Sequence, residues 1–202
     1  MKNILFLFIL IFSTQLKSHS AIIDITKSGY KKPSGYYRKD LDNILNSFEG
    51  TYLYTNGNDI FKIVLKKMIM QPVGSHYEDL IIGEYQYILN GTEKVNTFSN
   101  LNISYSDQFL KHGIAGNSIL GNNSRLWKCP QCNINEKRIR LVITDKLTSR
   151  YADFLMRRTI INGQQVLQVK IANPNTVTYN VETESPPANF SLPLGEFTMI
   201  KQ

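Results

Sequence analysis

Only two of the 202 residues are cysteine, Cys129 and Cys132, and only three are histidine, His19, His76 and His112. This scarcity excludes several chemistries. A tetrahedral zinc site built on the cysteine pair needs two further Cys or His ligands. Beyond the first twenty residues only His76 and His112 remain, neither at knuckle spacing. No His-Glu-x-x-His helix, Gly-x-Ser-x-Gly elbow or phosphate-cradling glycine loop occurs. Metalloprotease, serine hydrolase and nucleotide-dependent activities therefore lack their usual motifs, and the expectation is a protein that is not an enzyme and carries no metal or cofactor. Apolar runs are short as well. Residues 4–12 form an unbroken run of nine, against the roughly 20 that a membrane-spanning helix needs, and no later segment is long and apolar enough to cross a bilayer.

What is present begins with an export signal. Lys2 gives a positive start, the apolar run follows, and Ser18-His19-Ser20 supplies small residues where a signal peptidase cuts, before Ala21. Residues 1–20 are read as a signal peptide and 21–202 as one domain. With no cysteine near the cut, a bacterial lipoprotein anchor is not expected, and the destination is the periplasm or the medium. Removing twenty residues leaves 182, long enough to bury roughly 70% of the unfolded surface without help from a disulfide. Taking Lys2 and Lys17 from the 23 basic residues leaves 21 against 16 acidic ones, a mature charge of +5. The basic residues are scattered, as Lys31-Lys32, Lys66-Lys67, Arg138, Arg140 and Arg157-Arg158. Several alternate with apolar residues along apparent strands, which marks the wet face of a sheet rather than a nucleic-acid surface.

One short amphipathic helix is predicted near the mature N-terminus, where Leu41, Ile44, Leu45 and Phe48 fall at i, i+3, i+4 and i+7, with Asp40 as cap and Gly50 as terminator. From there the period is two. Phe61, Ile63 and Leu65 alternate with Lys62, Val64 and Lys66, and Tyr85, Tyr87 and Leu89 with Glu84, Gln86 and Ile88. Ile139, Leu141 and Ile143 repeat the pattern, as do Leu167, Val169 and Ile171. Half-buried antiparallel strands read this way. They are expected at 50–55, 59–70, 77–89, 93–98, 117–121, 124–128, 137–144, 152–161, 165–172 and 196–201, with a further candidate at 176–182.

The turns agree. Asn56-Gly57, Asn90-Gly91 and Asn162-Gly163 sit between alternating runs, and Asn-Gly accepts the positive φ angles of a type I′ hairpin. Sequential hairpins favour a meander, and a sheet of nine or ten strands tends to curl and close, which removes its edges. The predicted fold is all-β, an antiparallel up-and-down barrel with one short helix at an end; a two-sheet sandwich is the alternative.

Phe48-Glu49-Gly50-Thr51-Tyr52, directly after the short helix, resembles the Gly-x-Trp opening of lipocalin-type barrels, with Tyr52 in the tryptophan position. A wider set comprises Tyr54-Thr55-Asn56-Gly57-Asn58, the run from Tyr77 to Tyr85, Cys129-Pro130-Gln131-Cys132-Asn133 with Glu136-Lys137-Arg138, and the ending from Leu192 to Gln202. Together these are similar to a family of small exported proteins of flavobacteria and relatives, known only as a domain of unknown function. The resemblance implies a bacterial source and an envelope or extracellular location. It implies no activity.

The cysteine pair has three readings. A thioredoxin-type pair sits at a helix start, where the dipole lowers the thiol pKa, yet Asn133-Ile134-Asn135-Glu136 leads into a strand. A zinc half-site lacks its partners. A disulfide between Cys129 and Cys132 across a loop is favoured; its four-residue ring is worth about 2 kcal/mol by loop entropy. His76-Tyr77-Glu78-Asp79 gathers a histidine, a phenol and two carboxylates, suited to a metal or an acid-base step, but without a third ligand or a nucleophile it reads as solvated loop chemistry. Tyr52, Tyr54, Phe61, Tyr85, Tyr87, Trp127 and Phe154 either line a ligand cavity in the barrel or fill it solid. The expected function is a lipocalin-like carrier of a small apolar or amphipathic ligand, or else an envelope or secreted protein-protein interaction module using loops at one barrel end, such as 129–136.

Overall fold

The computed structural model describes residues 21–27, 32–178 and 184–202. The predicted signal peptide, 1–20, lies outside the described residues. Eight strands form a closed antiparallel barrel: β3 (Gly50–Asn56), β4 (Asp59–Val73), β5 (His76–Leu89), β7 (Ile114–Leu120), β8 (Arg138–Thr144), β9 (Tyr151–Ile161), β10 (Gln164–Ala172) and β11 (Gly195–Lys201). Each pairs with the next in that order and β11 returns to β3, the up-and-down meander that the Asn-Gly turns predict. Three short strands stand outside the barrel. β1 (Ile22–Asp24) runs parallel to β2 (Tyr37–Lys39), β2 runs parallel to β5, and β6 (Thr92–Asn96) folds back on β5.

β5 is the organising strand because one of its edges serves three partners in succession: β2 at Tyr77 and Glu78, β7 at residues 81–83, and β6 at residues 86–89. β7 therefore leaves β5 where β2 arrives, and the barrel wall forks. The departure is a bulge between Ala115 and Ser118, with Gly116 at φ +148°. A Cβ on Gly116 would lie 3.0 Å from the Leu141 Cα, so only glycine lets β7 bend this close to β8.

Inward residues of the strands alternate as the period-two pattern requires. Phe61, Ile63, Tyr85, Leu141, Phe154 and Met199 are among those forming one contiguous core. Two of the three Asn-Gly turns have both central residues at positive φ, Asn90-Gly91 and Asn162-Gly163, as type I′ demands. The third differs. Asn56 pairs with Asp59, so the two-residue loop is Gly57-Asn58 with only Gly57 at positive φ, the type II′ pattern.

Four further expectations are corrected. The 41–48 helix reduces to one 3-10 turn, Leu45–Phe48, a plug that sets Leu45 and Phe48 into the core; Leu41 is 51% exposed because the stripe never completes a second turn. Residues 124–128 form no strand, since the Trp127 carbonyl is taken by Arg138 rather than by a neighbouring strand. Residues 176–178 are not a strand either, and 179–182 lie outside the described residues. Arg138, read as a wet-face residue, is fully buried.

Closure is uneven. β11 pairs with β3 at only two positions, Ile200 with Leu53 and Lys201 with Tyr52, reinforced by Gln202 N–H donating to Thr51 O at 2.9 Å. Gly50 opens β3 at φ +138°, and two residues on Tyr52 turns into the core with its hydroxyl 3.2 Å from Phe48 O. The Gly-x-Tyr run thus joins the plug to the barrel.

Candidate site at the fork of the barrel

The fork collects a largely buried polar network. Glu78 and Asp79, adjacent on β5, point to opposite sides of the strand. Both are buried, so the expectation of solvated loop chemistry does not hold for these two, while Tyr77 is exposed and His76 half-buried. Both Glu78 oxygens have partners: Oε1 accepts from Arg38 Nη1 at 2.9 Å and sits 2.7 Å from His76 Nε2, while Oε2 accepts from Asn117 Nδ2 at 2.6 Å. Burial by itself would raise the Glu78 pKa, but the hydrogen bonds from His76, Asn117 and Arg38 outweigh it and hold the carboxyl below its ordinary range. Asn117 also donates to Asp79 O at 2.7 Å. Both its partners are acceptors, which fixes the orientation of the amide.

On the other side of β5, the Asp79 carboxylate accepts from Tyr37 Oη, from Asp40 N at 3.0 Å and from Met70 N at 2.9 Å. Burial, then the bond to Asp79, push the Tyr37 phenol well above its ordinary pKa. Met70 sits at φ +52° in the β4 bulge, so Asp79 anchors a strained backbone turn. Asp40 is not the N-cap of the 3-10 turn, which is Ile44, but its carboxylate reaches over the intervening bend to accept from Ile44 N and Leu45 N at 2.8 and 2.9 Å, and it also holds Lys67 Nζ at 2.9 Å. His76 stacks on Tyr36 with ring centroids 4.3 Å apart. These contacts tie β2, the plug and the β4–β5 hairpin to one wall of the fork.

Between the arms lies an outward-facing cleft of about 260 Å³. Arg38 and Glu78 form one side, Asn117, Ser118 and the β7 bulge the floor, and Arg140, Val142 and Phe109 the far side. Phe109 belongs to the short helix α1 (Gln108–Lys111), whose N-cap Asp107 accepts from Leu110 N. Helix α1 is held by a buried latch in which His112 lies 2.8 Å from Glu84 Oε1 and 2.7 Å from Gln108 Oε1. Arg140 gives Nε and Nη2 to a single oxygen, Asp153 Oδ1, at 2.7 and 2.6 Å. Its other terminal nitrogen has no partner among the described residues, on a side chain that is 41% exposed.

The other sequence-derived candidates lie elsewhere. Tyr52, Phe61, Tyr85, Tyr87 and Phe154 are in the core, where Phe61 packs edge-on against Tyr85 and Tyr87 at 5.8 and 6.0 Å. Tyr54 packs beside them against Phe197 at 4.7 Å. Trp127 lies apart, a buried residue of the 121–137 loop against Arg138. Cys129 and Cys132 are disulfide-bonded in that loop, with Cα atoms 5.3 Å apart. The loop is pinned by Arg138, whose guanidinium donates to the carbonyls of Trp127, Gly121 and Asn122, and by Glu136, which takes Nε and Nη2 of Arg157 at 2.7 and 3.0 Å.

Arg38 and Asn117 carry no sequence signal and Arg140 reads only as a wet-face strand residue, because each lies some 40 to 60 residues from Glu78 and nothing local joins them to it. Only the excess of polar residues at 76–79 gave a signal. None of the described residues forms a group of three or more His, Cys, Asp or Glu fit for a metal ion, and no described helix is long and apolar enough to cross a membrane. Neither the curated proteins nor the solved structures contain a match. A family profile does match, over residues 1–202, and the chain belongs to that family of unknown function, DUF6705.

Proposed function

We propose that this chain is an exported, non-catalytic binding protein that holds a small amphipathic ligand in the cleft at the fork, not in the barrel lumen. The observation that carries this reading is the contrast between the two spaces. The lumen is occupied by packed side chains, with Phe61, Tyr85 and Phe154 fully buried. The cleft has rigid polar walls on one side and the apolar Phe109 and Val142 on the other, the mixture found in small-molecule sites. Export is supported by the nine-residue apolar start and by a disulfide suited to an oxidising compartment. The test is native mass spectrometry of protein recovered from the periplasm or medium of its host. A small-molecule adduct is expected in the wild type and is expected to be lost in Val142→Asp, which places a charge on the apolar wall. An adduct unaffected by that substitution, or no adduct at all, overturns the reading.

A second reading rests on the pinned loop. Arg125, Lys128 and Lys137 are exposed along 121–137 beside exposed Leu126 and Ile134, while the loop's one carboxylate, Glu136, is engaged by Arg157. A rigid, cationic, partly apolar loop is pre-organised to dock on a partner. Photo-crosslinking from position 134 in intact cells tests it, a single discrete adduct being expected and diffuse labelling counting against it.

A further inference from the structure

We propose that the charged end of the ligand in the fork cleft is a carboxylate, bound on the free edge of Arg140, with its apolar part lying against Phe109 and Val142. This inference rests on the placement of the ligand in the cleft. Its basis is the hydrogen-bonding capacity that the walls have left over. Both Glu78 oxygens already have partners, Arg38 and His76 on one and Asn117 on the other, and its charge is balanced by Arg38. Both amide hydrogens of Asn117 are committed, to Glu78 and to Asp79 O. Asp153 directs Oδ1 to Arg140 and Oδ2 to Asn173 Nδ2 at 2.9 Å. What remains as charged hydrogen-bonding capacity is the open edge of Arg140, beside the Ser118 hydroxyl, which donates or accepts. A cationic ligand would meet the exposed Arg140 guanidinium, with neutral acceptors, the Asn117 amide oxygen and the Ser118 hydroxyl, as its nearest uncommitted partners among the described residues.

Geometry selects a carboxylate among anions. A guanidinium edge presents two parallel N–H groups that match the two oxygens of a planar carboxylate. Asp153 fixes the Arg140 plane from behind by taking its opposite edge, so the ordering cost is already met in the free protein. Size limits the remainder. About 260 Å³ is the room of roughly nine water molecules at about 30 Å³ each, enough for a medium-chain or single-ring acid. The apolar wall gives such an acid an advantage over a compact anion, which gains nothing from Phe109 or Val142.

The test is titration of the full mature protein, followed by amide chemical shifts, with octanoate, octylammonium, octanol and inorganic phosphate. Octanoate is expected to perturb the amides of residues 115–118 and 140–142 and to bind at least tenfold more tightly than the other three probes. Arg140→Gln is expected to reduce octanoate affinity about tenfold and to leave octanol unchanged, and Arg140→Lys, which keeps the charge and a contact to Asp153 but loses the flat edge, is expected to reduce it about fivefold. Thermal unfolding of both variants confirms that they are folded, and Ser118→Ala provides a test that leaves the Arg140–Asp153 pair intact. If octanol or octylammonium binds the same amides as tightly as octanoate, the carboxylate assignment fails while the cleft remains the site. Tight phosphate binding there also overturns it. If no probe perturbs the cleft, the assignment fails together with the function proposed above.

Discussion

Replacing Arg138 with alanine tests what holds the outer loop to the barrel. The side chain is fully buried and donates to three backbone carbonyls, those of Trp127, Gly121 and Asn122, in the first half of the 121–137 loop. Its guanidinium also lies 5.6 Å from the Trp127 ring centroid. Hydrogen bonds from a charged donor contribute about 1.5–3 kcal/mol each, so three of them represent a gross loss of roughly 4–9 kcal/mol. Two effects offset this. Burying a guanidinium with no carboxylate in contact is itself costly, and burial accordingly lowers the Arg138 pKa from its ordinary value. The freed carbonyls sit at the barrel surface, where a relaxed loop lets water reach them. The net destabilisation expected is about 3 kcal/mol, seen as a shift in urea midpoint with little change in slope. The same variant should make the loop a site of limited proteolysis, with cuts confined to 121–137 while the barrel remains intact. Arg138→Met, which retains the packing on Trp127, should recover about a third of the loss. A urea midpoint within experimental error of the wild type, or cleavage distributed along the whole chain, would refute the view of Arg138 as the loop's pin.

Other outcomes follow from the same structure. Reducing the Cys129–Cys132 bond should cost no more than about 2 kcal/mol, since the ring spans four residues; complete unfolding on reduction, monitored by circular dichroism, would contradict this. Glu78 should make stability depend on acid. Its carboxyl is held below the ordinary value of 4.5, so the stabilisation is complete above that pH and is lost as the pH falls below it; Glu78→Gln should flatten this acid limb in urea titrations, and parallel limbs for the two proteins would sink the assignment. Burial pushes the Tyr52 phenol up to about 12, so the folded protein should resist its ionisation and lose stability as the pH rises above 10, an effect absent from Tyr52→Phe. Gly116→Ala brings a methyl group against the Leu141 backbone at a positive φ. It should cost about 2–3 kcal/mol, measurable by thermal unfolding, with nearly wild-type stability as the refuting result.

The barrel was legible because its strands carry their burial in alternation and its hairpins carry their turn chemistry. Phe61-Ile63-Leu65 and Ile139-Leu141-Ile143 point inward as read, and Asn90-Gly91 and Asn162-Gly163 turn where expected. What escaped was set by partners distant in sequence. β1 and β2 have three residues each and pair in parallel, too short for a period to register. The helical spacing of Leu41, Ile44, Leu45 and Phe48 is satisfied equally by a short turn tied to Asp40, so spacing alone over-extended it. Arg138 follows the strand alternation of an outward residue, but the outward face there is covered by a loop that the alternation cannot reveal. The candidate site shows the same limit. His76, Glu78 and Asp79 stood out as a cluster of polar residues, whereas Arg38 and Asn117, which make Glu78 a closed network, reach it from about forty residues away on either side.

The narrow seam between β11 and β3 sets the order in which this protein can be completed. Leu53 is made early and Ile200 nearly 150 residues later, so until residues 195–201 arrive the emerging chain carries an open sheet with β3 and β10 as bare edges. Contacts so distant in sequence form slowly, and exposed strand edges recruit other chains. A chain lacking those seven residues retains the other seven barrel strands but no means of joining them, so its expected fate is edge-to-edge assembly rather than a smaller barrel.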